Sequence, residues 1–415
     1  VTQTRIRADS DGSVGGRRSA ARPATKVSGS TAGGAWASLR RAWAALLLHV
    51  ALRLAGVGVL AVWAHRKGLG LHEVLATRWD SIFYLSIAED GYAGPMEPAC
   101  QLGGPTCKLA FFPVYPWLSR GVSAVTGLPV SWAAWAIALL ASLIAAWGVF
   151  AVAEQLHGTR VAFFAVALYA IVPHALVQSM AYTEPVFVAL AAWSLYAVLS
   201  RSWLTAGVLA MVAGATRPSG SAVVAAVALS ALWSLFASLR SRGASATRRP
   251  TARLCAAVLL APLGWTAFFV WVGHRLGRWD GYFIEQRAWG STFDGGRYTL
   301  EQMRRLFTVP DTTLDHVVVA LTVAAAVVLL LVLVTQRPPA AVWIYTAVLV
   351  LIAVGGAGFF HSKARFLLPA FPLLFPPAVA LARARRKTVV WVLVSATALS
   401  ALYGGYLVLV WNRSP

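Results

Sequence analysis

Among the residues of this chain that could do chemistry, the carboxylates set in apolar surroundings come first, and Asp80 in "RWDSIFYLSIAEDGY" (78–92) is the clearest of them. Read as a helix at about 100° per residue, the stretch puts Asp80, Phe83, Tyr84 and Ile87 on one face. A charge on such a face near lipid is costly, and it either pairs or lines a watered cavity. In the first case Asp80 caps the helix or bridges to Arg78. In the second it is a carboxylate available to take a proton. Asp90 is a weaker candidate for that role. Ten residues of helix turn it roughly 80° away from Asp80, and Gly91 beside it reads as an ordinary helix end.

The elements that must position these groups are membrane helices. The chain is 58% hydrophobic and 12% charged, about half the charge of a soluble domain. Apolar stretches near the roughly 20 residues that cross a bilayer fall at 43–64, 130–154, 161–179, 184–200, 203–216, 220–238, 254–274, 315–335, 339–358, 366–382 and 388–411. Residues 1–42 are rich in Gly, Ser, Ala, Thr and Arg. They are expected to form a disordered basic tail facing anionic lipid, ahead of one catalytic membrane domain over 43–415. The net charge of +21 would suit nucleic acid, but the basic residues cluster in short segments between spans, so no nucleic-acid partner is expected. The partner is the bilayer.

Charge sets the expected orientation. With the N-terminus cytoplasmic, Arg240, Arg242, Arg248, Arg249, Arg253, Arg337, Arg383, Arg385, Arg386 and Lys387 all lie inside, as the positive-inside rule asks. Of the 15 acidic residues only Asp9, Asp11 and Glu154 then fall inside, which marks the extracytoplasmic face of a plasma-membrane protein as the place for chemistry. This count requires "LAFFPVYPWLSRGVSAVTGLP" (109–129) not to cross. Pro113, Pro116 and Arg120 interrupt it, and it is expected to lie at the surface or re-enter shallowly. Two long outer loops result, 65–129 and 275–314. Cys100 and Cys107 share the first. Their spacing permits a disulfide in an oxidising space without establishing one.

"RWDSIFYLSIAEDGY" followed by "LAFFPVYPWLSR" resembles the first luminal loop of the PIG-V mannosyltransferases, the family of the second mannosyltransferase of GPI-anchor synthesis and its bacterial relatives. "AYTEPVF" (181–187), "ATRPSG" (215–220), "DGYFIEQRAWG" (280–290) and "HSKARFLLPAFPL" (361–373) extend the similarity over the whole membrane region. The resemblance implies an all-α GT-C fold and a polyprenyl-phosphate mannose donor. It further implies inverting transfer to a hydroxyl of a glycolipid, glycan or protein, with Asp80 as general base. Arg78 and Trp79 would then seat the loop at the membrane surface, with Tyr84 and Asp90 beside the substrate.

The implied donor carries a phosphate, which needs a cation. His361 and Arg365 are four residues apart and share a face if their segment is helical, with Lys363 between them. Guanidinium matches phosphate oxygens bidentately and lysine supplies a point charge; snorkelling at a helix end is the alternative, strongest for Lys363. Glu184 and Arg217 could pair and shape the site, although Glu184 behind Thr183 also reads as an ordinary helix start. Gln286 could meet sugar hydroxyls and Trp289 could stack on the pyranose, or Trp289 could belong to an interfacial belt.

No phosphate-binding glycine loop, dinucleotide fingerprint or HExxH is present, and the cysteines lack zinc spacing. No cofactor is required, although outer carboxylates and a phosphate could together hold a divalent metal. A transporter or flippase would want charges near span centres and inverted repeats, and neither is found. A GT-C transferase for lipid-linked arabinofuranose or glucose remains an alternative, because the mannose expectation comes from the resemblance.

Overall fold

The computed structural model describes residues 31–93, 107–240, 248–310, 312–411 and 414. The first helix, α1 (Thr31–Arg66), begins inside the segment expected to be tail. Arg41, counted there as a lipid-facing charge, instead pairs with Glu154 at 2.6 Å. Two short helices follow, α2 (Leu71–Ala76) and α3 (Asp80–Asp90), then α4 (Val114–Thr126). α4 has 13 residues, about 20 Å at 1.5 Å per residue, too short to cross. It buries Tyr115 and exposes Trp117 and Val125, so the 109–129 stretch is a surface helix rather than a span. Cys107 is buried and disulfide-bonded; Cys100, the partner that the spacing permits, lies outside the described residues.

The bundle proper comprises α5 (Val130–His157), α6 (Thr159–Ile171), α7 (Glu184–Leu199), α8 (Trp203–Gly214), α9 (Ser221–Arg240) and α10 (Arg248–Arg275). After the surface helices α11 (Gly281–Ala288) and α12 (Arg297–Thr308) it continues through α13 (Leu314–Thr335), α14 (Ala340–Gly355), α15 (Lys363–Leu367), α16 (Phe375–Arg383) and α17 (Arg386–Tyr406). Strands β1 (Thr292–Phe293) and β2 (Gly356–Ala357) pair antiparallel. α10 packs against α8 closely enough that a Cβ on Gly264 would run into the Met211 carbonyl.

Ten of the eleven apolar stretches correspond to an apolar helix each, but among the described residues only six are long enough to cross unaided. α6, α7, α8 and α14 have 12 to 16 residues, about 18 to 24 Å of rise against a hydrocarbon core of about 30 Å. The stretch expected at 366–382 is not one helix. Phe360–Leu367 and Phe371–Arg383 meet at 76°, where Pro369 removes a backbone donor. Irregular backbone at membrane depth is tolerated only where protein buries it or a cavity needs it. Here the breaks after α6, α8 and α14 all meet at one end of the bundle, and that end holds the candidate site.

Candidate active site

The turn before Asp80 is built locally. Thr77 and Arg78 fold back onto Glu73, Oγ1 donating to its carbonyl at 3.0 Å and Nη2 to its carboxylate at 2.6 Å. The Arg78 hydrogen bond holds Glu73 below the usual carboxylate range. Trp79 then takes φ 53°, ψ −125°, a conformation that an L-residue other than glycine adopts at a cost of order 1–3 kcal/mol and that clusters at functional sites. This reversal starts α3 at Asp80. Ser81 Oγ donates to the Ala181 carbonyl at 3.1 Å, and the Asp80 N–H donates to Tyr182 at 3.3 Å. The carboxylate thus sits in the first turn of a helix, where the dipole favours negative charge.

Four charges follow one another from there. Asp80 Oδ2 meets Arg365 Nη1 at 2.8 Å. Arg365 Nε approaches Glu184 Oε1 at 3.4 Å, and the same oxygen meets Arg217 Nη1 at 2.5 Å. Two carboxylates and two guanidiniums cancel, which is how burial of Glu184 (1% exposed) and Arg365 (6% exposed) is tolerated. Arg217 also donates to Thr183 Oγ1 at 2.9 Å, which lies 3.2 Å from the Tyr84 hydroxyl. Burial, and then the Asp80 charge, hold the Tyr84 phenol above its ordinary pKa, so it remains a donor at neutral pH. The second Asp80 oxygen, Oδ1, accepts a hydrogen bond from Ser414 Oγ at 3.1 Å.

These groups border a cavity of about 170 Å³ whose walls include Asp80, Tyr84, Arg217, Gln286, Trp289 and Arg365. Trp289 is held by Nε1 donating to the Cys107 carbonyl at 3.3 Å and by edge contacts with Phe83 and Phe111. Gln286 donates to Tyr282 at 2.9 Å.

The other expected residues lie elsewhere. Arg78 serves Glu73 and not Asp80. Trp79 packs in an apolar cluster with Leu60, Leu75 and Tyr182. Asp90 is exposed at the last turn of α3, ahead of Gly91 at φ 70°. The helix face expected to be shared by His361 and Arg365 does not form, because 360–362 is a 3₁₀ turn and the α-helix begins at Lys363. His361 therefore lines a neighbouring cavity. Lys363 turns inward, Nζ donating to the carbonyls of Ala353 at 2.7 Å and Gly356 at 2.5 Å, which satisfies the open end of α14. Thr183 makes no capping bond from its side chain; it serves Arg217. The residues that sequence reasoning passed over are Tyr182, Ser414 and Phe359. Tyr182 stood inside a motif already noted, but its role as a partner of Asp80 depends on the break after α6. Among the described residues no three His, Cys, Asp or Glu side chains gather as they would around a metal ion.

The family model for dolichyl-phosphate-mannose-protein mannosyltransferase matches residues 110–265, less than half of the chain. That region includes Glu184 and Arg217 and excludes Asp80 and Arg365. No curated protein matches the chain. Among solved structures, ArnT from Cupriavidus metallidurans bound to undecaprenyl phosphate is 15% identical with a TM-score of 0.52, covering 84% of this chain and 62% of that one. ArnT in the apo state is 16% identical with a TM-score of 0.51, covering 88% and 63%. This is a GT-C fold. The oligosaccharyltransferase AglB from Archaeoglobus fulgidus, in complex with an inhibitory peptide and a dolichol-phosphate, is 12% identical with a TM-score of 0.45, covering 89% and 56%. The chain spans a little over three-fifths of the length of the ArnT chains it matches.

Proposed function

We propose that the chain is an integral-membrane mannosyltransferase that moves mannose from polyprenyl-phosphate mannose to an acceptor hydroxyl on the extracytoplasmic side, with inversion. The observation that carries this reading is the division of labour at Asp80. One oxygen is held by Arg365, and the other accepts a hydrogen bond from a hydroxyl, that of Ser414. An acceptor hydroxyl in the place of Ser414 would give its proton to Oδ1 as its oxygen bonds to the anomeric carbon. The bond from that carbon to phosphate breaks, and the polyprenyl phosphate leaves. A guanidinium has five donors. Arg365 spends Nη1 on Asp80 and Ser414 and makes no hydrogen bond from Nε among the described residues, so donors remain for a phosphate oxygen, where fixed positive charge favours the departing anion. An apolar groove of about 370 Å³ begins beside Ala364, next to Arg365, and is walled by Leu321, Ala325, Leu329, Leu367 and Phe371. Its chemistry suits a polyprenyl tail.

Mannose as the sugar, and inversion, are supported by the PIG-V motifs, and a lipid-phosphate mannose donor also by the family match over 110–265. The extracytoplasmic placement is supported by Arg337, Arg383, Arg385 and Arg386, which lie at the helix ends opposite those that carry Asp80 and Arg365. The test is to incubate the purified protein in nanodiscs with polyprenyl-phosphate mannose and a panel of glycolipid, glycan and peptide acceptors, and to read products by mass spectrometry. A hexose added to one acceptor is the expected result. Transfer only from an arabinofuranosyl or glucosyl lipid phosphate, or from none, would contradict the reading.

A further inference from the structure

A second cavity, of about 420 Å³, adjoins the Asp80 site, with Trp289 and Phe359 in the walls of both. We propose that it is the acceptor subsite and that it takes a carbohydrate, the pyranose of a glycan or of a glycolipid headgroup. The proposal rests on the glycosyl-transfer reading above and specifies what lies on the receiving side.

Asp315 is the key residue. It lies in the first turn of α13, is 3% exposed, and lines the cavity. Its Oδ1 is buried with no hydrogen-bond partner among the described residues. The helix dipole accounts for a tolerated charge there but not for an open acceptor, since buried polar atoms are nearly always satisfied. His316, next along, holds Nε2 at 2.7 Å from the Gln302 carbonyl and packs on Phe360 at 4.6 Å. A carbonyl can only accept, so Nε2 donates there and fixes the ring beside Asp315. A buried carboxylate asks for a ligand with hydroxyl donors and disfavours phosphate. The donor anion therefore belongs on the Arg365 side and the hydroxyl-rich acceptor on this one.

The remaining walls agree. Trp289, Tyr298, Phe359 and Trp411 contribute rings, and the negative face of an aromatic ring suits the C–H face of a pyranose. Phe359 holds φ 46°, ψ 47°, a left-handed conformation that costs a side-chain-bearing residue about 1–2 kcal/mol. It places a ring between the two cavities, where the acceptor hydroxyl would pass toward Asp80.

The test uses the full chain in nanodiscs without donor. Saturation-transfer NMR would report binding of the methyl glycosides of mannose, glucose, galactose and N-acetylglucosamine, and of a Ser/Thr peptide. The wild type and Asp80→Asn should bind at least one glycoside with similar affinity. Asp315→Asn should bind it about tenfold more weakly or worse, the usual effect of losing a hydrogen bond to a charged group. If Asp315→Asn does not fold, Tyr298→Leu should show the loss. Unchanged affinity in the folded variant, no glycoside bound by the wild type, or displacement of the sugar by the peptide would each overturn the proposal, the last in favour of a protein acceptor. Glycoside binding that depends on Asp315, without any transfer from polyprenyl-phosphate mannose, supports the subsite and contradicts the mannose donor.

Discussion

Arg53 in α1 and Arg365 in α15 are both buried, at 9% and 6% exposure, yet they face different chemistry. Arg53 stands at the middle of the apolar stretch 43–64, so the expectation that no charge lies near a span centre does not hold. Arg53 donates to Ser179 Oγ from Nε and Nη2 and to the Ala170 carbonyl at 3.1 Å. Its partners are neutral, and one is an open carbonyl at the end of α6, where positive charge is favoured. Lys363 does the same for the end of α14. Arg365 meets Asp80 and Glu184 instead, and it borders a cavity. A buried cation is therefore not by itself a sign of function. Arg53 and Lys363 satisfy the ends of helices that stop short, whereas Arg365 has carboxylate partners and room beside it for a third anion.

Substitutions can break that distinction. The largest stability effect is expected for Arg365→Ala. It strands the Asp80 carboxylate and leaves Glu184 with Arg217 alone, at a cost of about 3–5 kcal/mol for a broken buried pair. Thermal unfolding should show that loss together with loss of donor use, and a normal apparent donor KM in folded protein would reassign Arg365 to structure. Next comes Arg53→Met, which removes hydrogen bonds to neutral groups and should cost about 1–3 kcal/mol with turnover per folded molecule unchanged. Impaired turnover there would erase the contrast. Lys363→Met should behave like Arg53→Met, with a loss of similar or smaller size, read from unfolding and donor KM together. Asp90→Asn, at an exposed helix end, should stay within about 0.5 kcal/mol and retain near-wild-type turnover.

How much of this was legible in the sequence depends on whether a residue's role is local. Asp80 could be read because three apolar neighbours share its helix face, and Asp90 ranks below it as a base because it is turned away and glycine follows it. The eleven apolar stretches were legible for the same reason. That four of the helices are too short to cross alone was not, because the breaks that end them satisfy their backbone through distant groups such as Arg53 and Lys363. The face shared by His361 and Arg365 failed because it assumed α-helical spacing across a 3₁₀ turn. A Glu184–Arg217 pair is one of two readings open in the sequence, but Arg365 as the link from them to Asp80 needs the fold. Nothing local in the sequence marks Asp315; what distinguishes it is a buried oxygen with no hydrogen-bond partner among the described residues, on a residue that lines a cavity.

The claim that Asp80 is the base is tested most directly by turnover per folded molecule of Asp80→Asn with polyprenyl-phosphate mannose in nanodiscs. Asparagine keeps the shape and an oxygen for Arg365 but cannot take the proton. Removal of a general base typically lowers turnover about a hundredfold to ten-thousandfold, and that loss is expected here while the folded fraction and donor binding persist. Near-wild-type turnover per folded molecule, or activity that falls only in step with the amount of folded protein, would contradict the assignment.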